Sequence, residues 1–162
     1  MAMTGNFLRD IQAEDFGAIL IRFKNGAIGI VEGTACVYPK NLEETLSIFG
    51  GTGTAVIGGL AVNRVQTWNF ETPAPQDDEV AKINGTDPKD VYGSGHTPLY
   101  ANYIHAIENG VDPLVSGTEA IKAMKIILAA YKSQKTGQPV KFDDLEFSTL
   151  DMQDSDVRWH RG

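Results

Sequence analysis

Apolar and polar residues alternate with period two along "EDFGAILIRFKNGAIGIVEGTACVY", residues 14–38, and the alternation breaks at Asn25-Gly26, a pair that favours a tight hairpin turn. In the first strand Ile19, Ile21 and Phe23 share one face and Ala18, Leu20 and Arg22 the other. The second, run through to Tyr38, sets Ile28, Ile30, Glu32, Thr34, Cys36 and Tyr38 against Ala27, Gly29, Val31, Gly33, Ala35 and Val37. Both faces are largely apolar, whereas a sheet with water on one side shows a polar second face. The pattern therefore predicts a further surface packed on that side.

More strand-like runs follow at "ETLSIFG", "TAVIG" and "LAVNRVQTWNF", the last placing Leu60, Val62, Arg64, Gln66, Trp68 and Phe70 on one side. Between the first two lies the most glycine-dense stretch of the chain, "FGGTGTAVIGG". A dinucleotide fingerprint needs G-x-G-x-x-G opening a helix, so that backbone N–H groups face the pyrophosphate. Here the third position falls on Val56, and a β-branched run closed by Gly58-Gly59 follows. The reading is a turn, with Gly50, Gly51 and Gly53 supplying positive φ.

From "ETPAPQDDEV" to "VYGSG" periodicity gives way to a loop of about twenty residues, a length that often lies over a site or an interface. Two helices come next. The first opens at Thr97-Pro98, as an N-cap followed by proline, carries the stripe Leu99, Tyr103, Ile104 and Ile107, and stops at Asn109-Gly110. Ser116-Gly117-Thr118-Glu119 is a capping box for the second, with the stripe Ile121, Met124, Ile127, Leu128 and Tyr131 and an end at Gly137. "PVKF" reads as a short last strand. Strands and helices are segregated along the chain, so the fold class is α+β: a mostly antiparallel, open-faced sheet with helices on one face, without a parallel nicotinamide-binding sheet.

With 162 residues the chain fits one domain. Its 14 basic and 21 acidic residues give a net charge of -7, which argues against a nucleic-acid partner. No apolar run reaches the ~20 residues that cross a bilayer, so the expectation is a cytoplasmic protein without membrane contact. Cys36 has no disulfide partner in the sequence and reads as a small buried hydrophobe. Six acidic residues between Asp143 and Asp156 mark 143–162 as a solvated tail or edge segment.

Among candidate chemical groups, His96 and His105 lack the spacing of a metal site, and no metal is expected. His105 reads as a packed or half-exposed helix residue. His96 lies at the end of the long loop and just before a helix, where a ligand would meet both the ring and backbone N–H groups. Tyr38, Lys40 and Arg64, with Trp68, fit the lining of a polar pocket and ordinary cross-strand packing equally well. Glu43-Glu44 and Asp77-Asp78-Glu79 read as solvated charges. No nucleophile elbow, Cys-His pair or paired-carboxylate motif appears, so no catalytic residue is assigned.

The segments "EDFGAILIRFKNGAIGIVEGTA", "ETLSIFGGTGTAVI" and "GHTPLYANYIHAIENGVDPLVSGTEAIKAMKIILAAYKSQKTGQPVKF" together resemble the C-terminal domain of the Gfo/Idh/MocA oxidoreductases over residues 13–142. Residues 1–12 are left as a start and lead-in. Within the family the chain is similar to bacterial dehydrogenases of nucleotide-linked amino-sugar uronates, which serve lipopolysaccharide biosynthesis. The resemblance implies an N-terminal Rossmann domain with G-x-G-x-x-G and a catalytic lysine in an E-K-P-type motif, neither of which this chain holds. The family's D-x-x-x-H pair would fall just before residue 1, so the chain reads as a fragment. The family's substrate-side histidine maps onto His96. The implied function is sugar binding and oligomerisation for an NAD(P)-dependent oxidoreductase whose other half holds NAD or NADP. This chain alone would then bind no cofactor and catalyse nothing. The implied partners are the sugar, the missing Rossmann domain, and further copies joined through the open sheet face as a dimer or tetramer. The rival reading is a self-standing dimeric ligand-binding or assembly module without catalytic activity.

Overall fold

The structure, a computed structural model, describes residues 1–80, 82, 93 and 95–152. Among the described residues six strands form two antiparallel three-stranded sheets, so the chain is α+β with its helices segregated from its strands. It divides into two compact units, Met1–Val37 with Val115–Gly162, and Tyr38–Leu114. No helix of the described residues is long and apolar enough to cross a membrane.

The first unit holds β1 (Ala2–Gly5), β2 (Phe16–Arg22), β3 (Ile28–Thr34) and α3 (Gly117–Thr136). The β2–β3 hairpin turns at Asn25-Gly26 as the sequence predicts, through the three-residue loop Lys24-Asn25-Gly26. Phe23 N–H donates to Ala27 C=O at 2.9 Å, Gly26 N–H donates to Phe23 C=O at 3.0 Å, and Gly26 sits at φ 93°. This is a tight turn closed by a left-handed glycine. Pairing of Thr4 with Gly17, Ile19 with Val31 and Gly17 with Gly33 puts Ala2, Thr4, Gly17, Ile19, Val31 and Gly33 on one face. α3 lies on that face: buried Ser133 accepts Ala2 N–H at 3.0 Å, and Gln134 Oε1 accepts Thr4 N–H at 2.9 Å. The opposite face carries Met3, Leu20, Ile28 and Ile30, all exposed, with Ile30 77% accessible.

Three expectations are corrected here. Residues 1–12 contain β1, which pairs with β2. β3 ends at Thr34 rather than Tyr38, because its partner begins at Phe16: Phe16 and Thr34 form the last pair, and Ala35 N–H makes one final bond to Asp15 C=O at 2.8 Å. "PVKF" is no strand. Gln138 C=O is taken by the Ser133 hydroxyl at 2.8 Å, Pro139 has no N–H to give a ladder, and Phe142–Asp144 is a 3-10 turn.

α3 begins at Ser116, whose hydroxyl accepts Glu119 N–H at 3.3 Å, while the Glu119 carboxylate turns to Lys122 Nζ at 2.6 Å instead of completing a capping box. It ends at Gly137, φ 66°, whose N–H donates to Ser133 C=O.

The second unit holds β4 (Leu46–Gly50), β5 (Gly53–Gly58), β6 (Arg64–Phe70), the one-turn α1 (Asp77–Val80) and α2 (His96–Asn109). The glycine-rich stretch is a hairpin, as expected, with Gly50 opposite Gly53. Gly50, Gly51 and Gly53 are not in the left-handed region, contrary to expectation. Gly53 is needed for room: the Phe70 ring lies where its Cβ would be. An irregularity between Val56 and Ile57 pairs Ile57 with Val65 but Val56 with Thr67. That bulge moves Arg64 to the face opposite Trp68 and Phe70, so the predicted common face does not form.

α2 starts two residues earlier than the capping signal suggests. Gly95 is its N-cap and His96 its first residue, with Pro98 still in the first turn, where a missing N–H costs nothing. It stops at Gly110, φ 62°, with Gly110 and Val111 N–H both reaching Ala106 C=O. The stripe of Leu99, Tyr103, Ile104 and Ile107 is exposed. α1 falls within the stretch expected to be a loop; most of the rest of that stretch lies outside the described residues.

Candidate functional site

The four candidate residues all belong to the second unit, on three segments that meet at the β5–β6 loop, Gly58 to Asn63. Tyr38 and Lys40 lie in the irregular run before β4, both exposed, with a cis peptide between Tyr38 and Pro39. That run joins the loop where Glu44 N–H donates to Gly59 C=O at 2.8 Å. Arg64 leaves the loop as the first residue of β6, opposite Gly58, and is exposed. His96 is exposed at the start of α2, and the chain entering that helix touches the loop at Gly93, where a Cβ would stand 3.0 Å from the Ala61 methyl.

Backbone geometry organises the loop. Asn63 Oδ1 accepts Ala61 N–H at 3.4 Å, Gly59 has φ 103°, and Val62 holds φ 51°, a conformation that branched residues rarely adopt. Arg64 adjoins this loop directly and His96 follows Gly93 by three residues, whereas Lys40 and Tyr38 stand four and six residues before the Glu44–Gly59 bond. The first-turn N–H groups of α2 have no acceptor within the helix. Glu43 and Glu44 are exposed, as predicted.

The glycine-rich stretch does not fit a dinucleotide, because a strand rather than a helix follows its turn. Among the described residues no three His, Cys, Asp or Glu side chains gather to hold a metal. His105 is exposed on α2, where Asn109 Nδ2 stands 3.0 Å from His105 Nδ1 and donates to the His105 carbonyl at 2.8 Å. Cys36 is half-buried, with Sγ 3.6 Å from Asp15 C=O. His160 lies outside the described residues.

Two features escaped the sequence reading. Asp77 is not a solvated charge: Trp68 Nε1–H donates to Oδ1 at 2.9 Å and Ala74 N–H to Oδ2 at 2.6 Å, and the indole first, then the amide, lower its pKa. This ties α1 to β6; an acid near the start of a short helix is the signal for it. In the first unit a cavity of about 450 Å³ opens between α3 and the sheet, lined by Thr4, Glu14, Gly17, Val31, Ile127 and Tyr131 among others. Tyr131 donates to Glu14 Oε1 there at 2.5 Å. None of the four candidate residues lines it.

Residues 4–142 match the family model described as "Oxidoreductase family, C-terminal alpha/beta domain". Among solved structures the chain is similar to the WlbA dehydrogenase from Bordetella pertussis in complex with NADH and UDP-GlcNAcA, at 32% identity and a TM-score of 0.71, over 86% of this chain and 39% of that one. It is also similar to the WlbA enzyme from Chromobacterium violaceum, solved with the same two compounds, at 34% identity and a TM-score of 0.72, over 85% and 38%. An oxidoreductase from Agrobacterium radiobacter, in complex with NAD+, L-tartaric acid and magnesium, shares the fold at 19% identity and a TM-score of 0.60, over 88% and 42%. Nothing among curated proteins matches. The chain thus spans about two-fifths of the length of these solved relatives. With the match running through both sheets and both long helices, the chain belongs to the Gfo/Idh/MocA oxidoreductase family, as its C-terminal domain.

Proposed function

We propose that this chain is the substrate-binding and oligomerising part of an NAD(P)-dependent oxidoreductase acting on a nucleotide-linked sugar. The observation that carries the reading is the similarity, over most of this chain, to two dehydrogenases solved with NADH and UDP-GlcNAcA. The contacts of Glu44 and Gly93 with the β5–β6 loop that leads to Arg64 support it, because a sugar nucleotide offers a diphosphate to cations and hydroxyl groups to polar side chains. Lys40 and Arg64 would hold the diphosphate, with His96 and Tyr38 on the sugar. The nicotinamide cofactor, when bound, supplies the hydride chemistry. This chain contributes orientation, and productive geometry lowers a barrier by several kcal/mol. The dinucleotide would sit on a Rossmann domain in the remaining part of the enzyme, and copies would join through the open sheet face.

Calorimetric titration tests the assignment. UDP-GlcNAcA should bind the chain, more weakly at high salt and after Lys40→Ala or Arg64→Ala, and NADH should give no heat. Heat from NADH with none from the sugar nucleotide would overturn it.

A further inference from the structure

Two glycines stand where the candidate segments meet the β5–β6 loop. At Gly59, φ 103°, a Cβ would collide with Asn63 Oδ1 and lie 3.3 Å from Arg64 Cγ, so the loop closes on Arg64 only with glycine there. At Gly93, φ 65°, a Cβ would stand 3.0 Å from Ala61 Cβ, closer than methyl groups pack. Gly93 is three residues before His96 and Ala61 three before Arg64. Each stretch reaches at most ~11 Å when fully extended. The Gly93–Ala61 approach is thus a short link between the two carriers of side chains.

We propose that Gly93 is a positioning residue: its close approach to Ala61 sets where the first turn of α2, and with it His96, stands relative to Arg64. It touches no ligand and acts through those two residues. That a sugar nucleotide uses the spacing rests on the function proposed above, but the spacing itself does not. A displacement of about 1 Å at such a link is enough to weaken productive geometry severely.

The contact can be crowded from either side and relieved. Gly93→Ala adds a methyl against Ala61 and also strains the left-handed backbone; adding Ala61→Gly removes the opposing methyl but leaves the strain. In amide-correlation NMR spectra of the full chain, Gly93→Ala should shift the His96 and Arg64 resonances, and the double variant should return them toward wild type. The unfolding midpoint, which reads the strain, should stay low in both. A purely structural glycine would show the lower midpoint with no rescue of those resonances. Ala61→Val crowds the same contact without altering a glycine and should move the same two signals, which keeps the test open if Gly93→Ala does not fold. UDP-GlcNAcA affinity should fall about tenfold in Gly93→Ala and recover to within about twofold in the double variant. Unmoved His96 and Arg64 signals, or shifts without recovery, overturn the proposal. Shifts and recovery in a chain that does not bind UDP-GlcNAcA leave the positioning role standing and overturn the substrate reading.

Discussion

The carboxylate of Asp15 accepts the backbone N–H of Arg9 at 2.7 Å, and the Arg9 guanidinium in turn donates to Ala35 C=O at 2.8 Å and Val37 C=O at 3.3 Å. Phe7 and Leu8 N–H complete the set on the same carboxylate, at 2.8 and 2.6 Å. One buried acid, 2% accessible, therefore folds residues 7–9 back onto β2 and, through Arg9, fixes the chain leaving β3.

This arrangement makes the first unit sensitive to acid. Burial raises the Asp15 pKa, but the N–H groups of Arg9, Leu8 and Phe7, with Cys36, outweigh it and hold the carboxyl well below the usual range. Because the folded value lies below the unfolded one, near 3.9, the stabilisation is complete above that pH and is lost as pH falls through and below it. Thermal unfolding followed from pH 7 to pH 2 should show the midpoint dropping in the acid limb. Asp15→Asn should start lower and lose less over the same limb. Parallel curves for the two proteins would exclude Asp15 as the source.

Tyr131 shifts in the opposite sense. Burial, then its bond to Glu14 and that group's charge, push the phenol up to about 12. Its contribution is full below the unfolded value near 10 and disappears as pH rises through the folded one. Ultraviolet titration of tyrosinate should resolve a late-ionising phenol that is absent in Tyr131→Phe. A wild-type curve without that late step would contradict the Tyr131–Glu14 geometry.

Ser133 sits 1% accessible on α3, accepting from Ala2 and donating to Gln138. Ser133→Ala would leave a buried N–H and a carbonyl without partners, at a cost of about 1–3 kcal/mol. A lower urea midpoint with an unchanged slope is the expected result. An unaltered midpoint would mean that β1 contributes little to the unit.

How legible this was depends on whether a signal is local. The turn at Asn25-Gly26 and the stops at Gly110 and Gly137 each depend on residues adjacent in sequence, and the structure follows them. β1 has no alternation to read, because "AMTG" is held by β2 and by Ser133 and Gln134 far along the chain. Cys36 and Tyr38 continue the β3 pattern, but strand identity needs a partner, and β2 begins only at Phe16. Arg64 changes face through a bulge that no residue type announces. For the candidate site, sequence names residue types; contacts such as Glu44 N–H to Gly59 C=O, which bring separate segments to one loop, are encoded by no periodicity.

Val62 offers a test of the loop. Its φ of 51° costs a β-branched residue about 1–2 kcal/mol, and its side chain is largely exposed. Val62→Asn, which tolerates that backbone, should raise the unfolding midpoint slightly. A drop would show that the valine side chain packs usefully and that strain is the smaller term.

The open face of the first sheet decides the question of assembly. Leu20 pairs with Ile30 across β2 and β3, with Met3 and Ile28 beside them, and all four are exposed, whereas on the other face α3 packs on β1, where Ala2 and Thr4 are buried. Four large apolar side chains on a rigid sheet favour burial against a matching surface, and a second copy offers an identical patch about a twofold axis. The proposed interface thus predicts dimers or larger species in sedimentation at micromolar concentration. Ile30→Lys should weaken self-association at least about tenfold, because a central apolar contact is replaced by a charge that must be desolvated. Its circular dichroism should not change, since Ile30 is 77% accessible in the single chain. A wild-type monomer, or an Ile30→Lys variant that associates as before, would place the interface elsewhere.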